Sequence, residues 1–251
     1  MITSKKIIYI SKVMFLASIL FLITAGKNYS QVNTDKIVSN VEDKIGNYYT
    51  ETFQITANKE GVIKIEGEVG TLFDKLKIGE LASQVKGVKA INNEIDVQTS
   101  LLPDDEIKNN IEEDLQRNNV ILEPERIKVD VKNRVVHLSG TVSYFREKLM
   151  AQSVASWEDG VIGMTSDITV LSPVTAKSDA NLKEIILDLI AKNFPLEKNV
   201  KFEINNGVVD LYGTVTDLYA KDHISEDIQH IIGVKNVINE IKVEDNNTGT
   251  K

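Results

Sequence analysis

The sequence predicts an α+β protein made of three tandem αββαβ units behind an N-terminal signal segment. One alternating strand with a glycine in its middle occurs three times, and Gly67, Gly140 and Gly213 are spaced 73 residues apart both times. A lysine-flanked apolar run precedes the first copy. Self-similarity at a fixed period is typical of repeated structural units. It therefore outweighs the one or two domains that a length of 251 residues alone would suggest.

The first repeat is predicted to contain a helix, two strands, a helix and a strand. Ile37, Val41 and Ile45 recur at helical spacing, Asp35 is a plausible cap, and Gly87 is a typical stop for the second helix. The predicted elements cover residues 34–49, 53–57, 62–69, 72–86 and 90–97.

The second and third repeats follow the same order. Asp104 or Asp105 is expected to cap the first helix of repeat 2, and Asn205 to Gly207 is a strong hairpin turn in repeat 3. The predicted organisation is a signal peptide over residues 1–30, repeats over 34–99, 104–171 and 179–244, and a disordered tail over 245–251.

Two sets of glycines occupy equivalent positions in the three repeats. On the central strand the glycine lies on the same face as the apolar residues, so we expect it to let a helix backbone approach or to form a bulge. The second set ends the second helix of each repeat. A structural role is therefore predicted for all six glycines: Gly67, Gly140, Gly213, Gly87, Gly160 and Gly233.

The N-terminal segment has the pattern of an export signal. Lys5, Lys6 and Lys12 precede an apolar run over residues 13–25 that is short for a membrane-spanning helix. Cleavage is expected after Gly26 or Ser30. The alternative is an uncleaved anchor that begins near Ile7.

Composition excludes several kinds of site. The chain has no cysteine, which excludes disulfides, thiolate metal sites and a lipid attached to an N-terminal cysteine. A net charge of −8 argues against nucleic acid as a partner, because phosphate binding needs clustered lysine and arginine. His137, His223 and His230 are too dispersed for a metal site, and no catalytic or cofactor motif occurs. We therefore expect no cofactor and no bound metal.

Three segments carry a family resemblance: the glycine strand over residues 211–215, the pair Gly233–Val234, and the last strand over residues 237–243. Together with their counterparts in repeats 1 and 2, they resemble the BON domain. The resemblance implies that each unit is a three-stranded mixed sheet with two helices on one face. It also implies a periplasmic or envelope location, no enzymatic activity, and a role in binding phospholipid membranes under osmotic stress.

The helix over residues 182–194 is the most apolar of the three first helices. One interpretation is a helix buried on its sheet, and the other is a helix that enters the lipid interface. The candidate contact residues are Leu182, Ile186, Leu189, Ile190 and Phe194.

Repeat 2 carries a second candidate stripe. Met150, Val154 and Trp157 are apolar at positions where the other two repeats are not uniformly apolar, and they fall on one face of a helix. The stripe either packs against a neighbouring repeat or contacts lipid or an envelope protein partner.

The expected function is that of a non-enzymatic, exported envelope protein that binds phospholipid surfaces and supports envelope integrity. The alternative is a soluble periplasmic scaffold or chaperone-like module that binds proteins and has no contact with lipid.

Overall fold

The computed structural model describes residues 34–171 and 177–244, all within one compact unit. The predicted signal segment, with its cleaved and anchored alternatives, and the predicted tail lie outside the described residues.

The predicted α+β class is confirmed, with the order helix, strand, strand, helix, strand in each repeat. The helices are α1 (Thr34–Gly46), α2 (Leu72–Ser83), α3 (Asp104–Arg117), α4 (Phe145–Trp157), α5 (Asp179–Asn193) and α6 (Leu218–Gln229). The strands are β1 (Gln54–Ala57), β2 (Val62–Val69), β3 (Ala90–Val97), β4 (Ile127–Lys132), β5 (Val135–Val142), β6 (Gly163–Val170), β7 (Val200–Asn205), β8 (Val208–Val215), β9 (Asn236–Asn239) and β10 (Lys242–Val243).

Each sheet is mixed, with the glycine strand at its centre. β2 pairs antiparallel with β1 and parallel with β3, and repeats 2 and 3 use the same pattern around β5 and β8. In repeat 3 the third strand is interrupted at residues 240–241, so β9 and β10 both pair with β8. The parallel pairs are joined by a helix, as a parallel connection requires.

Alternation along the strands separates core from surface. Ile63 and Ile65 of β2 are fully buried against the helices, whereas the intervening Lys64 pairs with Glu66 and Glu94 on the other face. The first helix of each repeat adds a buried stripe at helical spacing. The apolar face of each sheet is thus covered by two helices.

The expected helix caps are corrected by the structure. Pro103 is the N-cap of α3, so Asp104 already lies in the first turn and does not cap the helix. Its carboxylate instead accepts the amide N–H groups of Asn133 and Arg134, both at 2.8 Å, in the turn between β4 and β5. Asp35 likewise lies in the first turn of α1. Two helices also end earlier than predicted: α1 ends at Gly46 and α2 at Ser83.

The strand glycines allow a close approach between backbones. At Gly213 φ is +109°, and an added Cβ would lie 2.1 Å from the carbonyl oxygen of Asn199. A Cβ added at Gly140 would lie 2.0 Å from the carbonyl oxygen of Arg126. The backbone that lies close to Gly140 and Gly213 is therefore the chain entering the antiparallel strand. It is not a helix, which was one of the two alternatives expected from the sequence.

The helix-stop glycines lie against the first buried residue of the first helix. A Cβ at Gly87 would lie 2.9 Å from Ile37, and the equivalent contacts are made by Gly160 with Ile107 and by Gly233 with Leu182. These contacts identify Ile37, Ile107 and Leu182 as equivalent positions in the three repeats.

The repeats contact one another through equivalent residues, the first residues of α2, α4 and α6. Leu72 lies in the core of repeat 2, and the ring of Phe145 packs edge-on against His230 of repeat 3. Leu218 packs on the core of repeat 1 and donates its N–H to the carbonyl oxygen of Val88. We name these contacts seam 1–2, seam 2–3 and seam 3–1. Each repeat therefore contacts both of the others.

Candidate functional site

The candidate lipid-contact helix, α5, is partly core. Leu182 and Ile186 have no exposed surface and pack against β8 and α6 in the centre of repeat 3. They cannot contact a lipid or a partner at the surface, so their place in the predicted contact set is corrected. Leu189, Ile190 and Phe194 are half-buried at the edge of the same core.

A partly exposed stripe remains on α5. Leu187 is 52% exposed, and Leu187, Ile190 and Phe194 follow one another at spacings of three and four residues, so they lie on one side of the helix. Leu196, just after the helix, is 79% exposed. We name Leu187, Ile190 and Phe194 the α5 stripe.

The other first helices show that Leu187, the exposed member of the α5 stripe, is not required by the fold. The residues equivalent to Leu187 are Glu42 in α1 and Glu112 in α3, taking Ile37, Ile107 and Leu182 as equivalent. The residues equivalent to Ile190 are Ile45 and Leu115, and both are only 2% exposed. Repeat 3 therefore places a leucine where its sister repeats have a carboxylate, and it leaves the following apolar position less covered.

Leu187 widens the apolar stripe of this helix in the sequence, but it was not among the candidate contact residues. The first helices do not follow the 73-residue period, because Ile37, Ile107 and Leu182 are separated by 70 and then 75 residues. Aligning the buried helix positions, rather than the strand glycines, would have shown the difference between Leu187, Glu42 and Glu112.

The second candidate stripe packs partly against the protein itself. Trp157 stacks on Phe73 of repeat 1, with ring centroids 4.2 Å apart and an angle of 20° between the rings, while it remains 53% exposed. Met150 and Val154 are half-buried against the core of repeat 2. The observed contacts favour packing between repeats, one of the two alternatives, for Trp157.

An exposed carboxylate is held by hydrogen bonds beside Trp157 in seam 1–2. Asp159 accepts hydrogen bonds from the hydroxyl of Thr99 and from the amide N–H groups of Ser100 and Gly160. Hydrogen bonds from Ser100 and Thr99 lower the pKa of Asp159 to about 2, because they stabilise the charged form.

The described residues bring together no group of three or more histidine, aspartate or glutamate side chains that could hold a metal ion. The His137 ring lies 3.0 Å from the hydroxyl of Thr165 on an exposed strand face. Over the same part of the chain, no helix is long and apolar enough to cross a membrane.

Comparisons with known proteins agree with the repeat pattern. A sequence model of the BON domain matches residues 33–99, 103–172 and 178–245. The osmotically-inducible protein Y of Escherichia coli (strain K12) is 30% identical over 124 residues, which are 47% of this chain and 62% of that protein. The chain thus matches less than two thirds of the length of this relative.

Among solved structures, the chain is similar to the C-terminal domain of CdsD, described as the structural protein of the type III secretion system of Chlamydia trachomatis. That likeness has 14% identity and a TM-score of 0.24, and it covers 85% of this chain and 100% of the other. The periplasmic domain of PrgH is similar at 10% identity and a TM-score of 0.19, covering 76% and 94% of the two chains. Scores this low carry no argument about function.

Proposed function

The chain belongs to the BON-domain family, with three such domains in succession, and we propose on this basis that it is an exported envelope protein that binds phospholipid surfaces. The role we assign to it is binding rather than catalysis. The similarity to an osmotically-inducible protein supports a function during osmotic stress.

The observation that carries the proposal is the α5 stripe. Leu187 is half-exposed at a position where both sister helices have glutamate. An exposed apolar side chain on an amphipathic helix can enter the boundary between lipid headgroups and acyl chains. Leu187 therefore supplies a contact that the fold itself does not need.

Charge supports a local, apolar contact rather than a long-range electrostatic one. The chain carries −8 net charge, which opposes attraction to anionic lipid at a distance. Binding through the α5 stripe should accordingly persist at high salt, since screening weakens charge–charge attraction but not apolar burial.

Export is proposed from the N-terminal sequence. Lys5, Lys6 and Lys12 followed by the apolar run over residues 13–25 form the pattern of a secretory signal. Mass spectrometry of the protein from cells tests this part: a mature N-terminus at Lys27 or Gln31 supports cleavage, and an intact Met1 on membrane-bound protein supports an anchor.

Vesicle co-sedimentation tests lipid binding. The substitution Leu187→Glu introduces the residue that α1 and α3 already carry at this position, so folding should be unaffected. Full burial of a leucine contributes about 1.5–3 kcal/mol, and Leu187 is already half-buried, so we expect the variant to bind vesicles roughly three- to tenfold more weakly.

The matched control is Leu101→Glu, because Leu101 is 85% exposed and lies outside α5. It adds the same charge and should bind as the wild type does. Failure of the wild-type protein to pellet with both zwitterionic and anionic vesicles would refute lipid binding and leave a protein-binding scaffold as the remaining function.

A further inference from the structure

Seam 2–3 contains an open cleft with about 430 Å³ of empty space, part of which is bulk solvent. One wall is the entry to α4, residues 143–146, and the other is the end of α6 with the turn that follows it, residues 229–234. Although the whole chain carries −8 net charge, none of the residues lining this cleft is acidic. Arg146 and His230 both line it.

The equivalent space in seam 1–2 is filled. There Phe73 stacks on Trp157, and the residues at the same positions in seam 2–3 are Arg146 and His230, 73 residues later in each case. The third copy of the arginine position is Tyr219. The fold accepts an aromatic residue at this position in two repeats, so it does not require an arginine in the third.

The guanidinium of Arg146 is available to a ligand. It lies 4.3 Å from the centre of the Tyr144 ring, which also lines the cleft, and this stacking holds it in place. Among the ion pairs of the described residues, none involves Arg146. A planar guanidinium without a carboxylate partner is suited to bidentate binding of phosphate or carboxylate oxygens.

Seam 1–2 shows which groups accept the equivalent glycine N–H in repeat 2. In the turn after α4, the N–H of Gly160 donates to the hydroxyl oxygen of Thr99 at 2.8 Å and to the carboxylate of Asp159 at 3.0 Å. The residues equivalent to Asp159 and Gly160 are Ile232 and Gly233. In the part of the chain that the structure describes, the N–H of Gly233 has no hydrogen-bond partner, and Gly233 lines the cleft. The turn after α6 therefore has an isoleucine, and no carboxylate, at the position of Asp159.

We propose that the cleft of seam 2–3 binds a phosphate group, with Arg146 as the principal donor and the N–H of Gly233 as a second donor. This site is separate from the α5 stripe and does not depend on the proposed binding of α5 to lipid. The phosphate belongs either to a soluble molecule or to the headgroup of a phospholipid.

Titration with inorganic phosphate tests the site without any membrane. In ¹H–¹⁵N spectra of the full chain at constant ionic strength, we expect saturable shifts of the Ile232 and Gly233 amides and of the Arg146 side-chain N–H. Hydrogen bonds to charged groups are among the stronger ones, so Arg146→Phe should weaken phosphate binding at least about tenfold. Phenylalanine is the residue of repeat 1 at this position, which makes it compatible with the fold.

The control Arg117→Phe removes an equal charge from an exposed arginine that already pairs with Glu113 and should leave phosphate binding unchanged. The proposal is overturned if no saturable shift occurs at these amides, or if Arg146→Phe binds phosphate as tightly as Arg117→Phe.

Vesicle binding then identifies the source of the phosphate. If the wild-type protein prefers phosphatidylglycerol vesicles to vesicles of an uncharged glycolipid without phosphate and Arg146→Phe loses this preference, the ligand is a lipid headgroup. If inorganic phosphate binds but Arg146→Phe leaves the vesicle preference unchanged, the ligand is a soluble phosphate compound. Because the titration itself contains no lipid, its failure is distinguishable from a failure of the α5 stripe to bind membranes.

Discussion

Replacing Gly213 by alanine should destabilise repeat 3 strongly, even though the substitution adds a single methyl group. Gly213 has φ of +109°, and its added Cβ would lie 2.1 Å from the carbonyl oxygen of Asn199 and 3.1 Å from the carbonyl carbon. Real Cβ atoms essentially never approach another heavy atom within 3.0 Å, so the two paired strands must separate locally.

Two costs add at this position. A non-glycine residue in this region of φ costs about 1–3 kcal/mol, and forcing extra volume into a packed interior costs about another 1–3 kcal/mol. The sum of about 2–6 kcal/mol is a large share of the roughly 5–15 kcal/mol that stabilises a typical folded protein. For a protein of this size, the thermal midpoint should fall by at least about 5 °C.

The matched control is Gly163→Ala in β6, where φ is not positive and the nearest contact of the new Cβ would be an ordinary 3.5 Å, to Val135. Here alanine should change stability by less than about 1 kcal/mol, because it restricts the unfolded chain without creating a clash. Thermal unfolding followed by circular dichroism measures both variants. If Gly213→Ala unfolds at the wild-type temperature, Gly213 does not hold the two strands in the described register.

Two further predictions concern seam 1–2. The pKa of Asp159 is lowered to about 2, so this carboxylate stabilises the fold above pH of about 4 and loses that contribution as the pH falls towards 2. Urea unfolding should therefore show less loss of stability over this range for Asp159→Asn than for the wild type, and parallel losses would contradict the hydrogen bonds of Asp159. Phe73→Leu removes the ring that stacks on Trp157, so tryptophan emission should shift to the red and acrylamide quenching should increase. Phe53→Leu, in the separate core of repeat 1, should leave both readings unchanged, and an equal effect would argue against the stacked pair.

The sequence predicted the fold well where the repeats agree. From the glycine strand onwards the three copies align without a gap, so apolar alternation and glycine positions support one another at each site. The strands over residues 62–69 and 90–97 have the predicted bounds.

The contacts between repeats could not be predicted from the same pattern. Trp157 and Phe73 are both apolar helix residues, and periodicity does not say whether such residues meet a neighbouring repeat or a ligand. The role of Asp104 was missed because a carboxylate beside a helix start is usually a cap. Its actual partners lie 29 and 30 residues away, in a hairpin turn that only the folded chain brings close.

The candidate lipid-contact helix was identified by its overall apolarity. The candidate residues therefore included some that form the core of repeat 3. Leu182 and Ile186 are both buried. The position of Leu182 is buried in all three repeats, since Ile37 and Ile107 are buried at the equivalent positions. Sequence alone did not separate them from Leu187, because the core stripe and the exposed stripe are adjacent on one helix.

The central claim, that α5 enters the lipid surface, is tested most directly by tryptophan quenching with brominated lipid. A tryptophan at position 187 in a Trp157→Phe background reports on the α5 stripe, and a tryptophan at the equivalent position 112 reports on α3. Phenylalanine at position 157 keeps an aromatic ring against Phe73. We predict that vesicles containing brominated acyl chains quench the Leu187→Trp protein and leave the Glu112→Trp protein unquenched. Absence of quenching at position 187, or equal quenching at both positions, would contradict the account.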